Sequence, residues 1–286
     1  MTRLIGIDVG GTKCHGVCID PAGTLISEKV VPTPHVRDLV DVLARLVDDL
    51  GGHASIGIGV PGLIGRSGII HSSPNLPGAH HLEVAGPLGR RLGVEVAVEN
   101  DATCALVAEA RIGVLRGVRD AWLVTLGTGI GGALLADGEV RRGAQGFAGE
   151  VGHMRVMPNG IECPCGRAGC WERYASGAAL GEHSESKSTH DVVRAARAGD
   201  AAASTALAEW VDWIGVGLAA LANATDPEVI VLGGGVIEER DLFLDDVEAA
   251  LRCHLYAPDE RRVPSIRATS FGHRSGAIGA ALLAHD

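Results

Sequence analysis

The hydrophobic pattern of the first part of the chain predicts three short strands joined by turns. Apolar residues dominate 4–7, and strand-like stretches follow at 15–20 and 24–31, with a Pro-Ala-Gly turn between the last two. Because no helical spacing follows the glycines of residues 8–13, the pattern predicts an antiparallel meander. A dinucleotide fingerprint or a P-loop would need a helix directly after its glycines.

The rest of the chain predicts alternating helices and strands. Leucine and valine at helical spacing predict an amphipathic helix over 36–50, and an alanine-rich stretch predicts a long helix over 204–225. Residues 63–80 are expected to be irregular, and the polar stretch 181–189 to be a mobile loop. The other predicted strands are 54–60, 94–98, 121–126, 133–136, 228–232 and 265–270, and the other predicted helices are 82–92, 102–112, 241–254 and 275–284.

Residues 121–136 repeat the strand, glycine turn and strand of residues 4–20. An internal duplication of an α/β unit is the simplest explanation, so we expect two α/β domains. The expected boundaries are 1–116 plus 271–286 for a small domain and 117–270 for a large one.

Composition narrows the class of protein. Of 286 residues, 46% are apolar and 21% are charged, which indicates a globular protein, and the net charge is −10. An acidic chain without a basic cluster is a poor candidate for binding nucleic acid or an acidic membrane. We expect a cytoplasmic protein without a signal peptide or membrane span, whose seven cysteines are not a disulfide framework.

Three polar residues, Glu99, Asn100 and Asp101, lie where a predicted strand meets a predicted helix. In open α/β folds, ligands bind at such strand ends. A carboxylate there can take a proton from a substrate hydroxyl. A simpler interpretation is that Asp101 or Asn100 only caps the helix. The glycine loops, carboxylates and cysteines elsewhere in the chain favour the catalytic interpretation.

Three glycine-rich turns follow predicted strands and suit a nucleotide. Glycines let the backbone approach phosphates, although such a turn can also be a plain hairpin. The loops at 8–13 and 127–132 could hold a triphosphate from both sides, and Asp8 could hold Mg²⁺ directly or through water. The turn at 233–235 suits adenine or ribose, or is only a tight strand-to-helix turn. The expected nucleotide-binding residues are Asp8, Gly10, Gly11, Thr12, Lys13, Gly127, Thr128, Gly129, Gly233 and Gly234.

A cluster of cysteines with one upstream histidine predicts a zinc site. Three thiolates and one imidazole fill a tetrahedral Zn²⁺ shell with no open position, so this zinc should be structural. The same loop would hold Glu150 and Glu172, whose carboxylates suit sugar hydroxyls. Without the neighbouring metal, either glutamate would be interpreted as part of a surface salt bridge. The predicted zinc ligands are His153, Cys163, Cys165 and Cys170.

The combined motifs resemble those of bacterial glucokinases of the ROK family. The resemblance implies an actin-like, RNase H-like sugar kinase fold, with two duplicated α/β domains around a central cleft that holds sugar and ATP. It also implies a homodimer or a homotetramer. The motifs are DVGGTK at 8–13, VEND at 98–101, TLGTGIGG at 125–132, GEVGH at 149–153, CPCGRAGCWE at 163–172, YASG at 174–177 and LGGG at 232–235.

The resemblance also implies roles for single residues. Asp101 would be the catalytic base, and His153 would bind both zinc and sugar. The chain departs from many relatives at Ala79 and His80, where they place a tryptophan, and in the short polar stretch 181–190. The implied sugar-binding residues are Asn75, Asn100, Asp101, Glu150, His153 and Glu172.

We therefore expect a glucokinase that uses ATP and Mg²⁺ to convert D-glucose to glucose 6-phosphate. The alternatives are a kinase for another hexose (N-acetylmannosamine, fructose or allose), a polyphosphate-dependent glucokinase and, remotely, a sugar-sensing repressor. A polyphosphate enzyme would favour a basic groove, which a net charge of −10 does not indicate. A repressor would carry a DNA-binding segment before the first glycine loop, and here Asp8 lies almost at the start of the chain.

Overall fold

The computed structural model describes residues 2–51, 55–182 and 189–285. The chain forms two compact units. The first unit contains Met1–Gly117, Val140–Gly149 and His273–Asp286, and the second contains Val118–Glu139 and Glu150–Gly272. Residues 140–149, which we expected in the large domain, pack with the first unit. The domain boundaries themselves stay a prediction.

Both units contain strands and helices. The strands are β1 (Leu4–Val9), β2 (Lys13–Ile19), β3 (Leu25–Pro32), β4 (Ser55–Val60), β5 (Leu63–Ile64), β6 (Ile70–Ser72), β7 (His80–Leu82), β8 (Val96–Asn100), β9 (Ala121–Leu126), β10 (Ile130–Ala136), β11 (Glu139–Val140), β12 (Val229–Gly233) and β13 (Ser265–Ala268). The helices are α1 (Leu39–Asp49), α2 (Ala85–Leu92), α3 (Asp101–Ile112), α4 (Glu172–Ala175), α5 (Gly177–Glu182), α6 (Thr189–Arg197), α7 (Ala201–Thr225), α8 (Leu244–His254) and α9 (Ser275–Leu283). Short 3-10 helices cover Val36–Asp38, Val151–His153, Gly235–Leu242 and Gly272–Arg274.

Each unit is built on a five-stranded sheet, and the two sheets share one topology. The strand order is β3-β2-β1-β4-β8 in the first unit and β11-β10-β9-β12-β13 in the second. The pairs β1–β2 and β9–β10 are antiparallel, whereas β4 runs parallel to β1 and β12 runs parallel to β9. This repeated order confirms the predicted duplication and the meander that begins each half.

Helix α9 packs directly on β1 and α3 through residues that lack bulky side chains. A Cβ atom on Gly6 would lie 1.9 Å from the main-chain oxygen of Ala277. A Cβ atom on Gly279 would lie 1.6 Å from the main-chain oxygen of Cys104. Both distances are far too short for a real contact, so glycine at these positions is what lets the backbones approach. The helix thereby supports the strand that carries Asp8.

Helix α7 is the longest helix in the described part of the chain. By length and composition alone it is apolar enough to cross a membrane, a test that a buried core helix also passes. Half of its most apolar window is buried in the structure. A Cβ atom on Gly217 would lie 1.9 Å from the ring of Trp171, whose Nε1 donates to the main-chain oxygen of Trp213 at 2.7 Å. The helix is thus the core of the second unit, and Trp171 anchors the cysteine segment to it.

Two segments that were expected to be irregular contain regular structure. Residues 63–80 contain parts of a small antiparallel sheet, β5-β6-β7, whose strands of two or three residues are too short to show a hydrophobic period. The predicted loop at 181–189 is helical at both ends, because α5 ends at Glu182 and α6 begins at Thr189. The rest of that loop, 183–188, lies outside the described residues.

The close packing of α9 predicts that Gly279→Ala destabilises the protein. The new Cβ would meet the main-chain oxygen of Cys104, which can only move with α3. Overpacking of this kind costs typically about 1–3 kcal/mol. Gly86→Ala is the matched control, since its Cβ would meet the exposed Glu83 carboxylate, which can rotate away. Urea denaturation should show a lower unfolding free energy for Gly279→Ala than for the control, and equal values would contradict the packing.

Candidate active site

The predicted catalytic segment lies at the junction of β8 and α3, and Asn100 is the N-cap of α3. The Asn100 side-chain oxygen accepts from the Thr103 N–H at 3.1 Å, and its amide nitrogen donates to the main-chain oxygen of Gly62 at 3.2 Å. An extended residue whose side chain accepts from the third helical N–H is an N-cap. Because Asn100 fills that role, the Asp101 carboxylate is not needed for it.

Asp101 begins α3 with a half-buried carboxylate. One of its oxygens accepts from the Ala102 N–H at 2.8 Å. Burial raises the pKa of Asp101, although hydrogen bonds from the main chain oppose the shift. A carboxylate with a raised pKa is a better proton acceptor, as general-base catalysis requires.

Asp8, near the end of β1, is the second acidic group of this region. The pKa of Asp8 is raised to about 7, mainly by burial and also by the charge on Asp101, while Lys13 opposes the shift. The two carboxylates therefore lie within reach of each other's charge. A cation beside them would favour the ionised form of both.

The first glycine loop is a hairpin turn between β1 and β2, as the sequence predicted. The Gly10 N–H donates to the main-chain oxygen of Lys13 at 2.9 Å, and the Thr33 hydroxyl donates to that of Gly10 at 2.6 Å. A Cβ atom on Gly11 would lie 3.2 Å from the main-chain oxygen of Asn75. The structure thus brings Asn75 to this loop. Gly11, Thr12 and Lys13 are exposed, so they are accessible to a ligand.

Sequence reasoning missed an ion pair that supports this junction. The Glu99 side chain is 14% exposed, and its carboxylate accepts from Arg142 Nε at 2.5 Å and from the Asn100 N–H at 2.9 Å. The main-chain oxygen of Gly143 accepts from the Arg66 side chain at 2.6 Å. These bonds join residues 140–149 to the first unit. No local spacing signals them, because Glu99 and Arg142 are far apart in sequence.

The second glycine loop, between β9 and β10, repeats the hairpin in the second unit. The Gly127 N–H donates to the main-chain oxygen of Gly129 at 3.0 Å, and the Gly131 N–H donates to the Thr125 hydroxyl at 3.1 Å. A Cβ atom on Gly129 would lie 2.6 Å from a carboxylate oxygen of Glu172. The loop and Glu172 therefore lie together, and Thr128 is exposed at the tip.

The third turn, after β12, packs beside the end of β9. Gly234 has a φ of +90°, and a Cβ atom there would lie 2.2 Å from the main-chain oxygen of Leu126. Glycine is therefore required by both conformation and space. The hydroxyl of Thr269, next to Gly233, is buried and has no hydrogen-bond partner. A buried hydroxyl of this kind is commonly satisfied by water or a ligand.

The four predicted zinc ligands lie together in the second unit. One ligand atom from each of His153, Cys163, Cys165 and Cys170 lies within 4.8 Å of the others. The Cys165 and Cys170 sulfurs are 3.5 Å apart, and His153 Nδ1 lies 3.9 Å from the Cys163 sulfur. Zinc bonds of about 2.0–2.3 Å place tetrahedral ligand atoms roughly 3.3–3.8 Å apart. The donor set and its spacing therefore fit one four-coordinate zinc ion.

The two glutamates predicted to bind sugar flank His153. Glu172 lies 3.4 Å from His153 Nδ1, and its carboxylate accepts from the Cys163 sulfur at 3.0 Å. A Glu150 carboxylate oxygen lies 3.9 Å from His153 Nε2. With Nδ1 turned to the cysteines, Nε2 is the nitrogen left for a ligand on the side of Glu150.

The predicted residues thus form two groups, one in each unit. The first unit holds Asp8, Asn75, Asn100 and Asp101 with the first glycine loop, and the second unit holds Glu150, His153 and Glu172 with the other two glycine turns and the cysteines. Each group combines main-chain N–H groups at strand ends with carboxylates. Such an arrangement suits a phosphorylated ligand and a polyhydroxy ligand.

Three comparisons relate the chain to known proteins. A family model described as ROK family matches residues 4–286. The chain is 34% identical to a glucokinase of Streptomyces coelicolor, with 100% of this chain and 98% of that protein covered. It is 33% identical to the N-acetylgalactosamine kinase AgaK of a Shewanella species, with 98% and 96% covered. A ROK family glucokinase from Streptomyces griseus, solved with glucose and AMPPNP, has a TM-score of 0.91 at 34% identity over 99% of each chain.

The environment of Asp8 predicts a pH-dependent stability of the ligand-free protein. Because burial raises the pKa of Asp8 from 3.8 to about 7, the folded state binds more protons than the unfolded state between these values. The stability that this group contributes is therefore full below pH 3.8 and is lost as the pH rises through 7. Asp8→Asn cannot ionise and should be more stable than wild type at pH 8, with a smaller difference at pH 5.

Urea denaturation at the two pH values measures this difference. Asp48→Asn, at an exposed position on α1, is the matched control and should follow wild type. If wild type and Asp8→Asn lose stability equally between pH 5 and pH 8, the buried carboxylate does not titrate in this range.

Proposed function

The chain belongs to the ROK family, and we propose that it is an ATP-dependent glucokinase that phosphorylates D-glucose at its 6-hydroxyl. The observation that carries the proposal is the half-buried Asp101 carboxylate at the β8–α3 junction. Asp101 does not have to cap α3, because the side chain of Asn100 does so. The glucose and AMPPNP bound to the related Streptomyces griseus enzyme support the choice of substrates. Phosphoryl transfer needs mainly alignment of the reactants and neutralisation of charge.

In this proposal Asp101 accepts the proton of the 6-hydroxyl as that oxygen attacks the γ-phosphate. Burial raises the pKa of Asp101, which strengthens it as a base. Asn75 and Asn100 supply amide groups that can bind sugar hydroxyls in the same unit. Because the Asn100 side chain also caps α3, its orientation is fixed before the sugar arrives.

The glycine loops would bind the nucleotide. The N–H groups of Gly10 and Gly127 close the two hairpin turns, and the N–H groups of Gly11 and Gly129, with the exposed side chains of Thr12, Lys13 and Thr128, would be the donors to phosphate oxygens. Gly233 and Gly234 present bare backbone that suits the flat adenosine part, and the unpartnered Thr269 hydroxyl lies beside them. Mg²⁺ would neutralise phosphate charge when bound, and Asp8 would hold it directly or through water.

The second unit would supply further sugar contacts. Glu150 and Glu172 would accept from sugar hydroxyls, and His153 would donate from Nε2 while Nδ1 faces the metal. A structural zinc ion would be held by His153, Cys163, Cys165 and Cys170, and it would fix the loop that carries these groups.

The relatives span more than one hexose, so the sugar is the part of the proposal to test first. A coupled assay of ADP release should be run with glucose, mannose, fructose, N-acetylmannosamine and N-acetylgalactosamine, since one relative acts on the last. Glucose should give the highest kcat/KM. A higher value for an N-acetylated sugar would contradict the glucose assignment and leave the kinase assignment intact. We further propose that the enzyme is a cytoplasmic homodimer or homotetramer.

Asp101→Asn should abolish turnover and leave glucose binding nearly intact. Asparagine keeps the shape and polarity of the side chain but cannot accept the proton, and base catalysis is typically worth about 10²–10⁴-fold. Titration calorimetry with glucose and the ADP-release assay separate the two effects. Asp48→Asn serves as the control with unchanged kcat. If Asp101→Asn kept more than about a tenth of the wild-type kcat, another group would have to be the base.

Cys165→Ser should lose the zinc ion, lower the melting temperature and raise KM for glucose more than KM for ATP. The reason is that Glu150, His153 and Glu172 depend on the same metal loop. Cys253→Ser is the matched control, because Cys253 is also exposed and lies outside the cluster. Metal analysis should find one zinc ion per chain in wild type and in the control. Wild-type protein without zinc would refute this site.

A further inference from the structure

A second group of possible metal ligands lies in the first unit, away from the cysteines. It consists of His15 on β2, Glu28 on β3 and His273 in the 3-10 turn before α9, and we call it the histidine cluster. The proposed reaction uses none of these residues. We propose that the histidine cluster binds a divalent transition-metal ion of the zinc type, in addition to the ion of the cysteine cluster.

The geometry needs little adjustment to hold such an ion. One ligand atom from each of the three residues lies within 4.8 Å of the other two. His15 Nε2 and a carboxylate oxygen of Glu28 are 3.3 Å apart, close to the roughly 3.3–3.4 Å between nitrogen and oxygen ligands in a tetrahedral zinc site. The His15 and His273 rings lie 5.3 Å apart between centroids. The two rings are stacked with 26° between their planes, so rotation of the exposed His273 ring would turn its nitrogen toward the same ion.

The donor set selects the class of metal. Two imidazoles and one carboxylate suit zinc, cobalt, nickel or copper, whereas Mg²⁺ and Ca²⁺ prefer oxygen ligands alone. Three protein ligands also leave one tetrahedral position for water. The histidine cluster therefore differs in chemistry from the closed thiolate set of the second unit and from the site expected for Mg²⁺ at Asp8.

The surroundings hold the ligands in place. His15 is 3% exposed and is fixed by its position on β2. Arg274 donates to both carboxylate oxygens of Glu28, at 2.6 and 2.8 Å. Carboxylates that bind metals are commonly held by such an outer hydrogen bond, and Arg274 can keep one oxygen while the other turns to the metal.

The hydrogen bonds of His15 also favour a cation between it and Glu28. The ring faces two acceptors, the Glu28 carboxylate and the main chain of His273. A neutral imidazole has only one N–H to donate. If that N–H serves the main chain, the lone pair on Nε2 faces a carboxylate oxygen, and a metal ion between the two would satisfy both.

Occupation of the histidine cluster would join three parts of the first unit. The ion would connect β2, β3 and the start of α9, which are far apart in sequence. His15 is also the direct partner of Asp8 in the β1–β2 register. We therefore expect metal binding here to stabilise the hairpin that carries the first glycine loop, and so to raise the melting temperature.

Cobalt is the probe that distinguishes the two metal sites. Full-length protein given one equivalent of zinc per chain, which the four-ligand thiolate set takes first, should be titrated with Co²⁺ and followed by its visible spectrum and by equilibrium dialysis. Wild type should bind one further Co²⁺ per chain with weak d–d bands and without the intense near-ultraviolet bands of cobalt bound to thiolates. His273 is exposed, so His273→Ala should still fold. This variant should bind no further Co²⁺, and its melting temperature should not rise when Co²⁺ is added.

Two more variants complete the test. His190→Ala removes another exposed histidine, on α6 of the second unit, and should behave as wild type. Glu28→Gln should weaken Co²⁺ binding at least about tenfold. The proposal is overturned if wild type and His273→Ala bind Co²⁺ equally, if His190→Ala loses the same equivalent, or if the Glu28 variant keeps full affinity. None of these readouts depends on kinase activity, so the result is independent of the proposed function.

Discussion

Two acidic side chains whose charges act on each other set the main constraint on the first unit. Burial raises the pKa of both Asp8 and Asp101, and the charge of Asp101 adds to the shift of Asp8. Keeping both near strand ends costs stability in the ligand-free protein. Two features of the unit support the elements that carry these carboxylates. Helix α9 packs on β1 through glycines, and Asn100 caps α3 so that Asp101 stays available. A cation bound beside Asp8 would remove the repulsion, which links ligand binding to stability.

The second unit is organised around the cysteine cluster instead of a pair of carboxylates. Its carboxylates and His153 belong to a segment with little regular structure, which a zinc ion at the cysteine cluster would make more rigid. Trp171 extends that rigidity into the core, because its ring fills the space that Gly217 leaves on α7. The packing of Glu172 against Gly129 then brings the metal loop to the second glycine turn. The residues proposed to bind sugar, the four-ligand cysteine cluster and the second glycine turn are thus connected by packing within one unit.

Local sequence patterns correctly predicted those features of the fold that depend on residues close together in the sequence. The strand–glycine–strand repeat predicted two sheets with the same strand order, and the cysteine spacing predicted a cluster of four ligands. The sequence could not show that Glu99 pairs with Arg142, because only the folded chain brings them together. Nor could it show β5–β7, which are too short for a period, or which of Asn100 and Asp101 caps α3, since both residue types are good caps.

The two duplicated halves carry different residues at one equivalent strand position, and the difference matches the different chemistry expected of each half. Asp8 in β1 and Thr125 in β9 occupy the same place, one residue before the end of the strand, and each faces a glycine, Gly59 or Gly233, on the neighbouring parallel strand. The first half has a carboxylate there, which suits a cation. The second half has a hydroxyl that supports its own glycine turn through the Gly131 N–H. A second carboxylate at Thr125 would add negative charge beside bound phosphates, so the substitution between the halves fits a nucleotide site better than a perfect repeat would.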